Sequence, residues 1–354
     1  MIQASGRLGA RCVESEDCHE TDASVSIDPA RDGRDDLVDL SFGHRRENVP
    51  MTADPAVQIA DPELRAWLAD LAADDSEPSI TRLRQHRDRP RGPEIGEVVD
   101  FTVSAPSSVP VRVRAYRHTG EANRATCVYV HGGGFVFGDL DSHDRACRRL
   151  ADLGQIDVVA VDYRRAPEHP APAAIEDVRT VLAALRNDPE RDDLPLGLAG
   201  DSAGALIAFL ASEASDNAVD RLLMINPNVD LTLSMPSIKT LGSGWGLSSR
   251  DLEWFVTQWA PHHEQREHPT LNPLQRPLGT IPMTTIVTSD LDPLRDEGLA
   301  LGEHLRNAGR LARHDHLNGM VHGVINLDFV SPTARSQGDR ILREFAEDLV
   351  AAKR

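Results

Sequence analysis

Gly200-Asp201-Ser202-Ala203-Gly204 sets a serine between two glycines, after an apolar run (Leu196–Ala199) and before a helical pattern (Ala203–Ala214). A sharp strand-to-helix turn needs glycine on both flanks, because a Cβ there would clash, and it lifts the serine hydroxyl above a sheet. The helix N-terminus beside it favours developing negative charge. These are the surroundings of a nucleophile. A capping serine in a glycine-flanked turn is the plainer alternative, and the strand and helix around the pentapeptide argue against it.

His131-Gly132-Gly133-Gly134-Phe135 follows a second apolar run, Thr126–Val130. Three glycines in a row let the backbone come close to a bound atom with N–H groups exposed, as an oxyanion hole requires. The N–H of Ala203 would join them. A phosphate loop would want a following Lys or G-x-G-x-x-G spacing, and neither is present.

A reactive serine also needs a base and an orienting acid, which follow in the order Ser, Asp or Glu, His in sites of this kind. Past the run Met283–Thr288 stand Asp290, Asp292, Asp296 and Glu297. The last two fall in the helical pattern Leu294–Asn307, so spacing leaves Asp290 and Asp292 both open. His322 lies between the last strand pattern and the C-terminal helix pattern, where the base is expected. His314 and His316 fall inside the strand, as a solvated edge rather than a metal site, and His262, His263 and His268 read as a polar loop.

The elements that must position these groups alternate. Strands are expected at Glu97–Ser104, Val111–Tyr116, Thr126–Val130, Asp157–Val161, Leu196–Ala199, Leu222–Ile225, Met283–Thr288 and Leu311–His316. Helices are expected at Ser142–Leu153, Ala171–Leu185, Ala203–Ala214, Leu294–Asn307 and Thr333–Val350. This order implies an α/β fold with a mostly parallel sheet flanked by helices. The continuous apolar run Val158–Val161 suits a strand covered on both faces. Residues 96–354 form the expected catalytic domain, and residues 227–279, with three tryptophans, form an insertion over the sheet. Before it, Asp61 as N-cap and Pro62 at the first helical position start a helix within a 51–95 segment of one or two helices and linker. Residues 1–50 lack a sustained apolar period and read as a disordered or loosely attached arm, with Met51 as an alternative start.

The 354 residues carry 38 basic and 56 acidic side chains, a net charge of −18, which disfavours a nucleic-acid partner. No run of about 18 apolar residues is present to span a membrane, and no secretory h-region opens the chain, so a cytoplasmic location is expected. Cys12, Cys18, Cys127 and Cys147 form no CxxC pair and read as reduced thiols. Cys12 and Cys18 with His19 match no common zinc spacing. No metal or cofactor is expected. The acidic balance also permits adaptation to high salt.

Together these motifs resemble the hormone-sensitive-lipase-like (bacterial family IV) esterases of the α/β-hydrolase fold. Besides HGGGF and GDSAG, Asp162-Tyr163-Arg164-Arg165-Ala166-Pro167-Glu168-His169-Pro170-Ala171-Pro172-Ala173-Ala174 is close to that family's DYRLAPEHPFPAA. Asp292-Pro293-Leu294-Arg295-Asp296-Glu297-Gly298 and His322-Gly323 complete the set over roughly residues 60–350. The resemblance implies Ser202 as nucleophile, Asp292 rather than Asp290 as acid, and His322 as base. It implies Gly133, Gly134 and Ala203 as oxyanion donors, with Gly132 a further candidate, and a helical cap over the site. It also implies a small-molecule ester substrate with a short to medium acyl chain. His131, Glu168 and His169 are expected to hold the loops rather than move protons. Arg165, Ala205 and Val324 depart from the pattern without removing a reacting group. A dedicated deacetylase or amide hydrolase and a non-catalytic ligand receptor are the alternatives, and a homo-oligomer is compatible with all of these.

Overall fold

The computed structural model describes residues 59–352 apart from 60, 73–78, 86–88, 106–107, 121–122, 190, 192 and 214–218. The expected arm at 1–50, with Cys12, Cys18, His19 and Met51, lies outside the described residues.

Runs rich in Val, Ile and Leu form eight strands: β1 (Glu97–Val103), β2 (Val111–Arg117), β3 (Thr126–Val130), β4 (Asp157–Asp162), β5 (Leu196–Asp201), β6 (Arg221–Ile225), β7 (Met283–Leu291) and β8 (Leu311–Val321). They make one sheet in the order β1-β2-β4-β3-β5-β6-β7-β8. β2 pairs antiparallel with β1 and β4, and every later pairing is parallel. All eight expected strands are present. β7 and β8 run further than their apolar patterns suggest, because Ser289↔Leu317 and Leu291↔Val321 keep pairing across a register shift. Asn318-Gly319 carries a turn signal, yet it is absorbed inside the strand.

The helices are α1 (Pro62–Ala72), α2 (Ile80–Leu83), α3 (Asp144–Gly154), α4 (Ala173–Arg186), α5 (Ala203–Ser212), α6 (Pro236–Thr240), α7 (Ser249–Trp259), α8 (His263–Glu267), α9 (Arg295–Asn307) and α10 (Pro332–Ala351). The alternating side chains of β3 explain why both faces need cover. Val128 and Val130 join the core under α4 and α5, whereas Cys127 and Tyr129 join the core under α3 and α10. α4 buries one apolar stripe, whereas α5, with all ten residues buried, is enclosed on every side.

α1 is fixed at its start. Asp61 Oδ1 accepts from Leu64 N–H at 2.8 Å, and its Oδ2 accepts from Ser331 Oγ and from Thr333 N–H at the start of α10. One carboxylate therefore serves two helix N-termini, and Leu64 and Leu68 are buried in the α3/α10 core. Between β6 and β7 the chain runs through α6, α7, α8 and a 3-10 turn at Pro273–Gln275. α7 opens on a capping box between Ser248 and Asp251 and buries Leu252, Phe255, Val256 and Trp259. His263 falls in the short helix α8 rather than in a loop.

Candidate active site

Ser202 follows the last residue of β5 and precedes α5, with φ +55° and ψ −124°. A non-glycine residue there stores roughly 1–3 kcal/mol of strain. The turn is held by Ser202 N–H donating to Ile225 C=O at 2.8 Å and by Asn228 N–H donating to Ser202 C=O at 3.3 Å. Its glycines are required by close approach: a Cβ on Gly200 would lie 2.5 Å from Gly204 O, and one on Gly204 would lie 2.2 Å from Val130 O.

His322 comes directly after β8 and Asp292 directly after β7. His322 Nε2 is 3.0 Å from Ser202 Oγ, and its Nδ1 is 2.9 Å from Asp292 Oδ2. The fully buried Asp292 also accepts from Leu294 N–H at 2.9 Å through Oδ1. Burial opposes a charged imidazole at His322, but the Asp292 charge and hydrogen bond outweigh it and raise its pKa above the ordinary 6.5. The carboxylate that spacing could not exclude, Asp290, has other partners. Its Oδ1 is 2.7 Å from His316 Nε2 and its Oδ2 accepts from Gly319 N–H. His314 and His316 both meet Thr288 Oγ1, at 3.0 and 2.8 Å, so this edge is a side-chain network rather than simply solvated.

The glycine loop faces the serine. Gly133 and Gly134 take φ +127° and +56°, and their N–H groups, like that of Ala203, bond no described residue. A Cβ on Gly134 would lie 2.4 Å from the Phe255 ring. Gly132 is a correction to the expected donor set. Its N–H donates to Asp201 Oδ1 at 3.1 Å and is unavailable to an oxyanion. Asp201 also accepts from Tyr129 Oη at 2.9 Å and lies 3.3 Å from His143 Nε2, so the residue before the serine anchors the loop from below. His131 Nδ1 donates to Gly132 C=O and its ring stacks on Tyr163 at 4.2 Å. Burial, with His143 beside it, pushes His131 down to about 3, so it stays neutral.

Three further residues support the site without a motif that marks their role. Arg84, after α2, donates to Val136 C=O in the glycine loop, to Ala166 C=O and to both oxygens of Glu168, all at 2.8 Å. Arg165 NH1 donates to Gly138 C=O, which gives this departure from the family pattern a contact with the same loop. Glu297, fully buried on α9, accepts from Val229 and Asp230 N–H at 2.5 and 3.2 Å. Its place in the helical pattern concealed this inward role.

Two adjoining cavities, which share Phe137, Phe255, His322 and Asn326 in their linings, lie here. The inner one, about 170 Å³, touches Ser202, Gly133, Gly134, Asn228, Leu252 and Phe255. The outer one, about 580 Å³, is lined by Trp67, Leu71, Leu83, Leu327 and Phe329. His322 and Phe255 border both. No group of three metal-binding side chains is present among the described residues, and none of the described helices is long and apolar enough to cross a membrane.

Comparison with known proteins agrees with this geometry. The alpha/beta hydrolase fold family matches residues 127–326. Carboxylic ester hydrolase LipN of Mycobacterium tuberculosis is 34% identical over 78% of this chain and 78% of its own. Carboxylesterase NlhH of the same species is 35% identical over 74% of this chain and 86% of its own. A hyperthermophilic esterase from Pyrobaculum calidifontis has a TM-score of 0.72 at 28% identity, covering 83% of this chain and 99% of that one. With its strand order, its ordered motifs and these relatives, the chain belongs to the hormone-sensitive-lipase-like esterases of the α/β-hydrolase fold.

Proposed function

We propose that the chain hydrolyses short- to medium-chain carboxylic esters through an acyl-enzyme on Ser202. The observation that carries the reading is the unbroken hydrogen-bond chain Ser202–His322–Asp292 beside free N–H groups of the glycine loop. His322 Nε2 takes the hydroxyl proton as Ser202 Oγ attacks the ester carbon. Asp292 holds the Nδ1–H tautomer and stabilises the imidazolium. The carbonyl oxygen becomes an oxyanion facing Gly133, Gly134 and Ala203 N–H, each such donor contributing about 3 kcal/mol to the transition state. The C–O bond to the alcohol then breaks, the alcohol leaves with the proton from His322, and water repeats the sequence to free the acid. Residues 96–354 act as the catalytic domain, and segments 51–95 and 227–279 act as a cap that shapes the acyl and alcohol sites.

Ser202→Ala is expected to abolish turnover of p-nitrophenyl butanoate while leaving circular dichroism and Tm within error. Wild-type protein is expected to label with a fluorophosphonate, as a ligand receptor without a working base would not. Unchanged turnover in the alanine variant would end this reading.

A further inference from the structure

We infer that His143 is a positioning residue for the reaction, one imidazole that ties together the nucleophile turn, the glycine loop and the loop behind the base. The inference rests on the serine mechanism proposed above. His143 stands immediately before α3 and is 6% exposed. It borders the inner cavity, yet its described hydrogen bonds reach neither Ser202 nor His322. Its ring nitrogens meet three segments instead. Nε2 lies 3.2 and 3.3 Å from the two oxygens of Asp201, the residue before Ser202. It also lies 3.0 Å from the side-chain amide of Asn326, in the 3-10 turn Val324–Asn326 that follows His322. Nδ1 is 2.8 Å from Ser142 Oγ. Ser142 is itself locked to Asp139, whose N–H donates to Ser142 Oγ at 2.9 Å and whose Oδ1 accepts from Ser142 N–H at 2.7 Å.

Hydrogen accounting fixes one end of the ring. A bare Nε2 would set its lone pair against a buried carboxylate, so Nε2 carries a hydrogen and donates to Asp201. Ser142 Oγ either accepts from Nδ1 or donates to it, so both forms of the ring satisfy this requirement. The Asn326 amide then presents its oxygen to Nε2, since the reversed amide has the same shape. The consequence runs to the reacting atoms. Asp201 is buried, and among the described residues its Oδ2 has no other hydrogen-bond donor. Its Oδ1 takes Gly132 N–H, and a Cβ on Gly132 would lie 2.4 Å from Oδ2, so the glycine loop rests directly on this carboxylate. If Asp201 turns, Ser202 and the donors of Gly133 and Gly134 shift against one another. Such constellations work only when held to within roughly 0.5 Å. A core histidine that merely filled space would have no such reach, and an apolar side chain of similar volume would serve as well.

The test replaces His143 in the full chain and follows p-nitrophenyl butanoate hydrolysis and the rate of fluorophosphonate labelling. His143→Leu keeps the volume and removes every bond of the ring. Its kcat is expected to fall on the order of 10²-fold while KM changes less than about threefold. Labelling of Ser202 should slow in parallel, because it uses the same attack. His143→Gln carries an N–H close to the place of Nε2 and should bring kcat back to within about tenfold of wild type. His143→Asn reaches only toward Ser142 and should not restore it. Equal kcat in the leucine and glutamine variants, or a leucine variant at wild-type kcat, would overturn the assignment. Should His143→Leu not fold, the glutamine and asparagine variants carry the comparison, and equal kcat in those two would overturn it. Asn326→Ala breaks only the tie to the base loop and should lower kcat by about tenfold; wild-type kcat there would overturn the tie to that loop. If the wild type neither turns over nor labels, the serine mechanism itself falls. If wild type and leucine variant do both equally, only the role of His143 falls.

Discussion

Ser202, Asp292 and His322 hang from the ends of β5, β7 and β8, strands tied to neighbours by parallel ladders. Across the cavity, Leu83, Leu247, Leu252 and Phe255 come from α2 and from the segment around α7, which is held by side-chain packing and ring contacts rather than by a strand ladder. The reacting atoms need fixed distances, and a continuous sheet supplies them at little local cost. The walls opposite need only shape, and shape tolerates change. Chemistry should therefore be sensitive to substitutions below the cavity, and substrate choice to substitutions above it.

The largest break in that contrast is expected at Asp292. Asp292→Asn keeps the packing but favours the wrong imidazole tautomer, so kcat should fall on the order of 10⁴-fold with Tm nearly unchanged. The pH profile gives a second readout. His322 acts as base only when neutral, and Asp292 raises its pKa above 6.5. kcat/KM should therefore be lost as pH falls through that raised value, and the acid limb should move to lower pH in Asp292→Asn. The stability sign is opposite: the raised pKa stabilises the fold fully below pH 6.5, and that contribution is lost as pH rises through the folded value. An acid limb that stays in place in the variant would contradict this pairing.

Gly134 is where the two regions touch, so it sharpens the contrast. An alanine there meets the Phe255 ring at 2.4 Å and must adopt φ +56°. Gly134→Ala is expected to lower kcat by about 10²-fold, in the range of a lost oxyanion donor, with KM less affected. Adding Phe255→Ala removes the ring but not the φ, so rescue should be partial. Full rescue would mean that the contact alone, and not the loop conformation, governs the site.

The same division governs what the sequence reveals. Strands announce themselves through runs such as Val158–Val161, Ser202 through a glycine-flanked pentapeptide that reflects a local turn, and His322 through its place between the last strand and helix patterns, whereas only the family resemblance separates Asp292 from Asp290. The ends of β7 and β8 give no such signal, because Asp290, Asn318 and Gly319 interrupt the pattern while pairing continues. Arg84 reaches Val136 from 52 residues away, and Phe255 meets Gly134 from another segment altogether. Such contacts leave no period and no composition signal. Arg84 sits in an Arg-rich stretch that reads only as a linker, and Asp201 occupies a position of the pentapeptide that the turn itself does not constrain.

Glu297 tests a smaller effect on the floor. Burial, with Asp230 and Asp292 nearby, pushes its carboxyl well above the usual range, and its Oε1 accepts from Val229 and Asp230 N–H. The same loop donates Asn228 N–H to Ser202 C=O. Glu297→Ala leaves two buried N–H groups without an acceptor, each costing about 1–3 kcal/mol. Tm should drop and kcat should fall about tenfold, since 1.36 kcal/mol is tenfold in rate. Glu297→Gln keeps the acceptor oxygen and should restore both. Loss in the glutamine variant equal to that in alanine would show that the charge, not the acceptor, matters.

The smallest expected effect lies at Arg84, which ties the segment above the cavity to the loop below it. Its guanidinium meets Glu168 at 2.8 Å, but the Glu168 side chain is half exposed, so solvent screens the pair and its stability value is small. What distinguishes Arg84 is the Val136 carbonyl, since that bond lies three residues from Gly133. Arg84→Ala should lower kcat/KM only a fewfold and Tm slightly, and Arg84→Lys should not restore the loss, because an ammonium cannot hold three acceptors in a planar fork. The pH dependence separates this clamp from the triad. Arg84, with the backbone bond at Glu168, holds that carboxylate down to about 2, so the contribution exists above the unfolded pKa and is lost only as pH falls through the folded value. From roughly pH 5 upward the Arg84→Ala deficit should therefore be flat, whereas the Asp292→Asn deficit should vary with pH. A deficit at Arg84 that tracked the His322 limb would mean that the upper segment reaches the proton chemistry itself, and the division between floor and walls would have to be redrawn.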